Sequence, residues 1–273
     1  HAHRWAHWVH CAAMTFDLDR VGGWRGLEGI VSEVLGCGEL AMRLFADGAA
    51  DRLEKKGDRS PVTEADRAVE ARLRAYLQEA TPDAGFLGEE SGAADGSALR
   101  WIVDPIDGTR AFVRGLPTWS ILVGLEYESV PVLGVALLPV TEELFIGVAG
   151  GGATMNGRPL RVSNVAAIED AAIGHGSLSQ FTESGRTDAL ARLAAGTYTQ
   201  RGFCDFANYR ELLLGRLDAV VDPGVQPYDC APAAVLVREA GGQTSDLTGQ
   251  DTIYGDGFLA TNTHLHTAVL ALV

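Results

Sequence analysis

The sequence predicts a mixed α/β protein, a fold class that three observations support. Apolar residues recur at helical spacing early in the chain, and short strand-like runs bounded by glycine fill the middle. The second half alternates helical and strand-like segments. A chain of 273 residues can bury a sizeable core. We therefore expect one domain over residues 14–273, formed by two lobes at about 14–150 and 151–273.

The first thirteen residues are treated separately. They hold four of the seven histidines and end just before Met14. We expect a non-native or disordered leader, with a metal-binding histidine tract as the alternative, and exclude the segment from the fold prediction.

Composition narrows the class of protein. A net charge of −14 and a pI near 4.9 argue against nucleic acid and anionic membranes as partners. No apolar run reaches 18 residues, which argues against a membrane span. The four cysteines show no CxxC spacing, so we expect reduced thiols in a cytoplasmic protein.

Two helices and a strand are predicted first. Apolar spacing indicates a helix over residues 27–45. Thr63 is placed as the N-cap of a second helix that ends at Thr81-Pro82, so Asp66 falls in its first turn. The buried stripe of this helix is predicted to be Val69, Leu73, Tyr76 and Leu77. A short buried strand over 100–103 then delivers Asp104 at its end.

A strand-rich stretch follows. Apolar runs at 120–126, 132–138 and 144–148 predict three strands. Gly150-Gly151-Gly152 and Asn156-Gly157 then predict turns of a hairpin. The triple glycine could instead be a phosphate loop, but it lacks the Lys-Ser/Thr ending of such loops and no helical pattern follows.

The second half predicts alternating elements. Helices are expected at 188–195 and 207–214, with a strand-like approach at 201–206 and a strand at 217–221. Asp229 is expected to open a helix that runs to Ala240, with Pro232 in its first turn and Gly241-Gly242 as its C-cap. A strand at 258–260 and a helix from Thr263 complete the chain.

The candidate functional residues lie in three short acidic clusters, at residues 88–91 (GEES), 104–109 (DPIDGT) and 228–229 (YD). Asp104 and Asp107 flank a proline, and a tight turn there would point both carboxylates to one side. Carboxylates and backbone carbonyls together form an oxygen cage that suits hard cations such as Mg²⁺. Each acidic residue taken singly could be an ordinary turn or cap residue. Their combination favours a metal site that assists phosphate hydrolysis.

These motifs, together with Thr63-Glu64-Ala65-Asp66 and Glu239-Ala240-Gly241-Gly242, resemble the inositol monophosphatase-like superfamily. The resemblance covers the chain from about Leu27 to the C-terminus. It implies a five-layer αβαβα sandwich, a homodimer, and hydrolysis of small phosphorylated metabolites. The implied cofactor is Mg²⁺, two or three ions per site, for which Mn²⁺ can substitute.

The resemblance also implies roles for single residues. The implied metal ligands are Glu89, Asp104, the Ile106 carbonyl, Asp107 and Asp229. The implied catalytic residues are Thr109, Asp66 and Glu89, with Thr109 and Asp66 forming a hydroxyl–carboxylate pair that orients and deprotonates the attacking water. The amides of Gly108 and Thr109 would hold the phosphate. The full predicted substrate-binding set is Asp107, Gly108, Thr109, Arg201, Asp205 and Asp229.

Substrate choice is predicted from residues 112–119, from Arg201 and Asp205, and from residues 226–229, which resemble the histidinol-phosphate phosphatase branch. That branch converts L-histidinol phosphate to L-histidinol in histidine biosynthesis. Asp205 or Asp222 could receive the substrate ammonium. Arg201 could contact the phosphate, or form a structural ion pair with Asp205. Cys204 stands where the branch keeps a small glycine.

Two other functions compete with this one. The first is a phosphatase for inositol or another polyol or sugar monophosphate. The second is a catalytically silent relative that binds metal or phosphate, which is disfavoured because every implied ligand is present.

Overall fold

The computed structural model describes residues 15–49, 54–55, 61–203 and 205–273. The expected leader at residues 1–13 lies outside the described residues, and so does Cys204. Cys37 and Cys230 are buried free thiols, as the cysteine spacing predicts, and burial raises the pKa of Cys37 to about 12.

Two long helices form the first layer, α1 (Gly23–Ala46) and α2 (Glu64–Ala80). Between them lies a small pair of strands, β1 (Glu54–Lys55) and β2 (Pro61–Val62). Helix α1 starts four residues earlier than predicted. Helix α2 begins directly after its N-cap Thr63, as predicted, whereas Tyr76 is only half-buried in the stripe predicted for it.

An eight-stranded sheet forms the second layer, in the order β10-β9-β8-β7-β6-β5-β3-β4. Its strands are β3 (Gly85–Gly88), β4 (Gly92–Ala94), β5 (Leu99–Asp107), β6 (Ser120–Tyr127), β7 (Val130–Leu138), β8 (Glu143–Val148), β9 (Gly152–Met155) and β10 (Arg158–Pro159). A short helix, α3 (Thr109–Phe112), follows β5.

Both predicted turns near residue 150 are confirmed. The triple glycine turns the chain from β8 into β9. Asn156 and Gly157 join β9 to β10 with φ values of 49° and 75°, the left-handed conformation that a two-residue hairpin turn of type I′ requires.

The second half forms a five-stranded sheet in the order β12-β11-β13-β15-β14. Its strands are β11 (Ala172–His175), β12 (Thr199–Arg201), β13 (Ala219–Asp222), β14 (Gly242–Ser245) and β15 (Phe258–Asn262). The helices here are α4 (Leu178–Glu183), α5 (Thr187–Gly196), α6 (Asp205–Leu213), α7 (Pro227–Glu239) and α8 (His266–Leu270).

These elements stack in the order αβαβα, which confirms the predicted fold. Along β6, Ile121 and Val123 pack in the core beneath α1 and α2, while Leu122 faces the core that α6 and α7 share with both sheets. A third core lies between the small sheet and helices α4, α5 and α8. Period-two alternation thus lets each sheet contribute to two cores. The two-lobe division near residue 150 stays a prediction.

Helix α7 crosses the large sheet at unusually close range because glycines face it. Gly124 and Gly134 are cross-strand partners on β6 and β7. A Cβ atom added to Gly124 would lie 2.7 Å from the Ala231 Cβ, and one added to Gly134 would lie 2.7 Å from the Pro232 carbonyl oxygen. This contact seats the middle of α7 on the sheet.

Several predicted boundaries in the second half are wrong. Helix α7 begins at Pro227, so Asp229 is its third residue and Pro232 lies beyond the first turn. Pro227 suits the first helical position because its ring presets φ. The predicted strand-like approach to 201–206 corresponds to β12, which ends at Arg201, whereas α6 begins at Asp205, two residues before its predicted start. None of the helices in the described part of the chain combines the length and apolar content that a bilayer crossing needs.

Candidate active site

The end of strand β5 carries the first carboxylates, and its geometry corrects a prediction. Instead of a tight turn at Pro105, the strand continues through Asp107. Asp104 pairs with Leu122 and Asp107 with Ser120, so three steps on β5 match two on β6. This bulge inserts one residue. In a regular strand, side chains three apart would point to opposite faces, and the bulge brings these two together.

Asp229 completes a cluster from the other side of the site. One carboxylate oxygen from each of Asp104, Asp107 and Asp229 lies within 4.8 Å of the others. Asp104 and Asp107 are buried, and Asp229 is half-buried. In the described part of the chain, no Arg or Lys side chain forms an ion pair with any of the three. Such a cluster needs a cation to be fully ionised.

The raised pKa values of the three aspartates likewise indicate that the cluster needs a cation to be ionised. Burial, followed by the charge of Glu89, raises the pKa of Asp104 well above its usual range. Burial and the charge of Asp205 do the same to the pKa of Asp107. Burial raises the pKa of Asp229 to about 7. The backbone amide of Gln226, which donates to Asp229 Oδ2 at 2.6 Å, acts in the opposite direction and lowers this pKa.

A second acidic group lies beside the first. Asp66, Glu89 and Glu90 each offer an oxygen within 4.8 Å of the others. Glu89 also lies close enough to Asp104 to raise its pKa, so Glu89 belongs to both groups. Glu90 was not predicted as a site residue, although its position beside Glu89 in the GEES motif is a signal that could have found it.

Thr109 and Asp66 are in contact. The Thr109 hydroxyl lies 3.1 Å from Asp66 Oδ1 and equally 3.1 Å from the Ile106 carbonyl oxygen. The other oxygen of Asp66 accepts the amide and the hydroxyl of Thr63 at 2.8 and 2.6 Å. The helix cap therefore holds this carboxylate in place, with one oxygen directed to Thr109.

These groups open on a cavity of about 470 Å³ between the ends of the two sheets. Glu89, Asp104, Asp107, Thr109 and Asp229 line it, whereas Asp66 lies behind Thr109. The opposite wall includes Asp205 and Asp222, and Ser177 and Gln180 of the small-sheet side also contribute.

The two acidic wall residues are held differently. Tyr209 donates its hydroxyl to Asp222 Oδ2 at 3.0 Å, and burial raises the pKa of Asp222 to about 8. Asp205 has a φ of 51° and lies against Gly108, where a Cβ atom would come within 2.7 Å of Asp205 Oδ2. Burial raises the pKa of Asp205 to about 6, and the charge of Arg110 partly offsets this.

Arg201 is not placed as predicted. Its exposed side chain donates to Thr199 Oγ1 and the Gln200 carbonyl oxygen, both at 2.7 Å. It neither lines the cavity nor pairs with Asp205, because it ends the edge strand β12. Two arginines that were not predicted as site residues, Arg110 and Arg114, line the cavity instead, and Arg114 lies in the 112–119 stretch from which the substrate was predicted. Their place directly after the DPIDGT motif was the available signal.

Comparison with known proteins gives a consistent picture. The model of the inositol monophosphatase family matches residues 27–273. A histidinol-phosphatase of Mycobacterium tuberculosis is 39% identical over 230 residues, covering 82% of this chain and 88% of that protein. An inositol-1-monophosphatase of Mesorhizobium japonicum is 34% identical over 250 residues, covering 89% and 94%. The crystal structure of the extragenic suppressor protein suhB from Bartonella henselae superposes with a TM-score of 0.82 at 30% identity, covering 90% of this chain and 97% of that chain.

Proposed function

The chain belongs to the inositol monophosphatase family, a family of metal-dependent phosphoric monoester hydrolases, and we propose that it converts L-histidinol phosphate to L-histidinol with Mg²⁺. The observation that carries this proposal is the cluster of Asp104, Asp107 and Asp229 on the cavity that Thr109 also lines, a cluster with which no described Arg or Lys forms an ion pair.

The donors at the site fit a hard divalent cation. Every candidate ligand is an oxygen, and the carboxylates fall into two adjacent groups that share Glu89. This arrangement supports two or three Mg²⁺ ions, replaceable by Mn²⁺. The proposed ligands are Glu89, Asp104, the Ile106 carbonyl, Asp107 and Asp229. When bound, the metal lowers the pKa of water and neutralises charge on the phosphoryl group.

The chain's own residues would guide the proton. If Thr109 donates its hydroxyl hydrogen to Asp66, the hydroxyl oxygen, which belongs to a residue that lines the cavity, can accept a proton from the attacking water. Asp66 then takes the hydroxyl proton of Thr109, while the hydrogen bonds from Thr63 hold the Asp66 carboxylate in place. Glu89 lies beside Asp66 and completes the proposed catalytic set.

Phosphate binding is assigned to the backbone at Gly108 and Thr109, with Arg110 and Arg114 adding positive charge along the cavity. We place the leaving group against Asp205 and Asp222 on the opposite wall of the cavity. Histidinol phosphate carries an ammonium group, which a buried carboxylate would bind by a charge-assisted hydrogen bond. The higher identity to a named histidinol-phosphatase supports this substrate over inositol phosphate, which remains the alternative.

Phosphate release from histidinol, inositol and sugar phosphates tests the substrate. We expect the highest kcat/KM with histidinol phosphate. Asp222→Asn and Asp205→Asn should each raise KM for this substrate, with a loss of about tenfold to a hundredfold in kcat/KM, because such a bond contributes about 1.5–3 kcal/mol. A neutral polyol phosphate should be affected much less. Equal losses for both substrates would favour the polyol phosphatase instead.

Two matched variants accompany this test. Asp188→Asn removes the same charge at an exposed position of α5 and should leave KM and kcat/KM unchanged for both substrates. Arg201→Ala should also be silent, because its side chain lies outside the cavity. A similar loss for every ester in Arg201→Ala would restore the sequence-based assignment of Arg201 to the phosphate.

Metal dependence is tested with chelator. We expect activity to vanish in excess chelator and to return with Mg²⁺ or Mn²⁺ but not with Zn²⁺, since Zn²⁺ favours nitrogen and sulfur ligands. Full activity in chelator would exclude the proposed mechanism. The homodimer that the family resemblance implies stays a prediction, which light scattering in solution tests.

A further inference from the structure

Glu70 is a buried carboxylate that has no part in the function proposed above. It lies on α2 one turn after Asp66 and is 2% exposed. Its Oε2 accepts the amide of Glu90 and its Oε1 accepts the amide of Ser91, both at 2.7 Å. No Arg or Lys within the described residues forms an ion pair with it. Both oxygens are thus used to hold one short segment of backbone.

That segment is the one that carries Glu89. On its N-terminal side, the chain passes so close to Glu70 that a Cβ atom added to Gly88 would lie 2.6 Å from the Glu70 carboxyl carbon. Glu89 itself donates its amide to the Val103 carbonyl oxygen of β5 at 3.2 Å. The backbone around Glu89 is therefore held by strand β5 on one side and by Glu70 on the other.

Helical spacing connects Glu70 to the catalytic pair. Residues four apart lie on the same face of a helix, so α2 presents Asp66 and Glu70 side by side. Asp66 contacts Thr109, and Glu70 holds the segment of Glu89 and Glu90, whose carboxylates lie within 4.8 Å of Asp66. The relative placement of the proton acceptor and of the second acidic group thus depends on one helix.

We propose that Glu70 is a positioning residue, which sets the Glu89 carboxylate for metal binding through the two amides that follow it. This inference rests on the proposed function. Glu70→Gln keeps the size of the side chain but turns an NH₂ group against one of the two amides. Because groups that orient metal ligands typically contribute 10–100-fold in affinity, we expect Mg²⁺ binding to weaken by about that factor.

The chain offers a matched control. Glu239, the last residue of α7, accepts the amides of Gly150 and Gly152 at 2.8 and 2.7 Å. It makes the same pair of bonds to a turn that does not line the cavity. Glu239→Gln should lower the melting temperature of the metal-free protein about as much as Glu70→Gln, without changing Mg²⁺ affinity.

The experiment measures Mg²⁺ binding by calorimetry and the Mg²⁺ dependence of the melting temperature for the full chain and both variants. We expect the Mg²⁺ concentration at half-saturation, the midpoint, to rise in Glu70→Gln but not in Glu239→Gln. Gly88→Ala, which pushes a methyl group against the Glu70 carboxylate, should shift the midpoint in the same direction and serves if Glu70→Gln does not fold. Two results would overturn the positioning role alone. In the first, Glu70→Gln and Gly88→Ala leave the Mg²⁺ concentration at half-saturation at its wild-type value. In the second, Glu239→Gln shifts that concentration as much as they do. A wild-type protein without any Mg²⁺ response would overturn the proposed function as well.

Discussion

The N-termini of α2 and α7 approach the same cavity with the same local device. Each helix has an aspartate at its third position, Asp66 in α2 and Asp229 in α7, and each aspartate accepts the backbone amide of the residue three positions earlier. Both carboxylates are favoured by the positive end of the helix dipole. From local sequence alone, the two residues would be assigned the same role.

Their surroundings make them different. The protein satisfies Asp66 with the two donors of Thr63 and the hydroxyl of Thr109. Each aspartate also lies beside two further carboxylates, Glu89 and Glu90 for Asp66, and Asp104 and Asp107 for Asp229. Among the described residues, Asp229 accepts the backbone amide of Gln226 but no hydroxyl like those that Asp66 accepts. Burial raises the pKa of both residues. The hydrogen bonds of Thr63 and Thr109 oppose this rise at Asp66, and the backbone amide of Gln226 opposes it at Asp229. The hydroxyls of Thr63 and Thr109 suit Asp66 to the proposed role in proton transfer, and the position of Asp229 beside Asp104 and Asp107 suits it to the proposed role as a metal ligand.

The largest expected effect comes from Asp229→Asn, which keeps an oxygen to accept the Gln226 amide but removes a charge from the cluster. We expect Mg²⁺ binding to weaken and kcat/KM to fall by several orders of magnitude, because the metal supplies several kcal/mol of transition-state stabilisation. Asp104→Asn should behave alike. Calorimetry and steady-state kinetics measure both, and a variant with unchanged Mg²⁺ affinity would remove Asp229 from the ligand set.

Thr109→Ala tests the pair of Thr109 and Asp66 at the N-terminus of α2 and should lower activity less than Asp229→Asn. Mg²⁺ binding should stay largely intact while kcat falls by about a hundredfold, the lower end of the contribution of a positioned proton acceptor. Asp66→Asn combined with Thr109→Ala should cost little more than either change alone, because residues that act as a unit are not additive. A kinetically silent Thr109→Ala would end the proposed role of the pair.

The stability of the metal-free protein should depend on pH through the carboxylates that line the cavity. Their folded pKa values are raised, to about 7 for Asp229 and about 8 for Asp222, so the folded state binds more protons than the unfolded chain. This contribution to stability should be fully present below about pH 4, where the aspartates of the unfolded chain are protonated, and should fall as pH rises through about 7 to 8. Melting temperatures in chelator measure this fall, and Mg²⁺ should raise the melting temperature more at pH 8 than at pH 6. A metal-free protein that gains stability over this range would contradict the assignment.

The smallest effect is expected for Thr63→Ala, which removes the hydroxyl that caps α2 and contacts Asp66. Loss of such a cap costs about 1 kcal/mol, which lowers the melting temperature by about 2–4 °C. Thr63→Ser keeps the hydroxyl and should restore most of the loss. Thermal unfolding measures both variants, and equal destabilisation by the serine would show that the methyl group, not the cap, matters.

The sequence by itself determined the features that depend on near neighbours. The N-cap at Thr63 fixes Asp66 in the first turn of α2, and the Asn156-Gly157 pair specifies its hairpin turn, because both are set by the backbone preferences of adjacent residues. The oxygen-rich motifs likewise indicate a hard cation from side-chain chemistry alone. Several short strands, among them β3, β4, β11 and β14, were not predicted, because runs of four residues or fewer show no clear period unless turn residues or an apolar run mark them.

Only the tertiary structure decided how distant residues meet. The bulge that turns Asp104 and Asp107 to one side depends on the register of β5 against β6. Asp229 joins them because α7 packs closely on a sheet whose glycines align only once the strands pair. The exposure of Arg201 follows in the same way from the edge position of β12. Register and helix crossing are set by packing across the whole core, and no local pattern of residues encodes them.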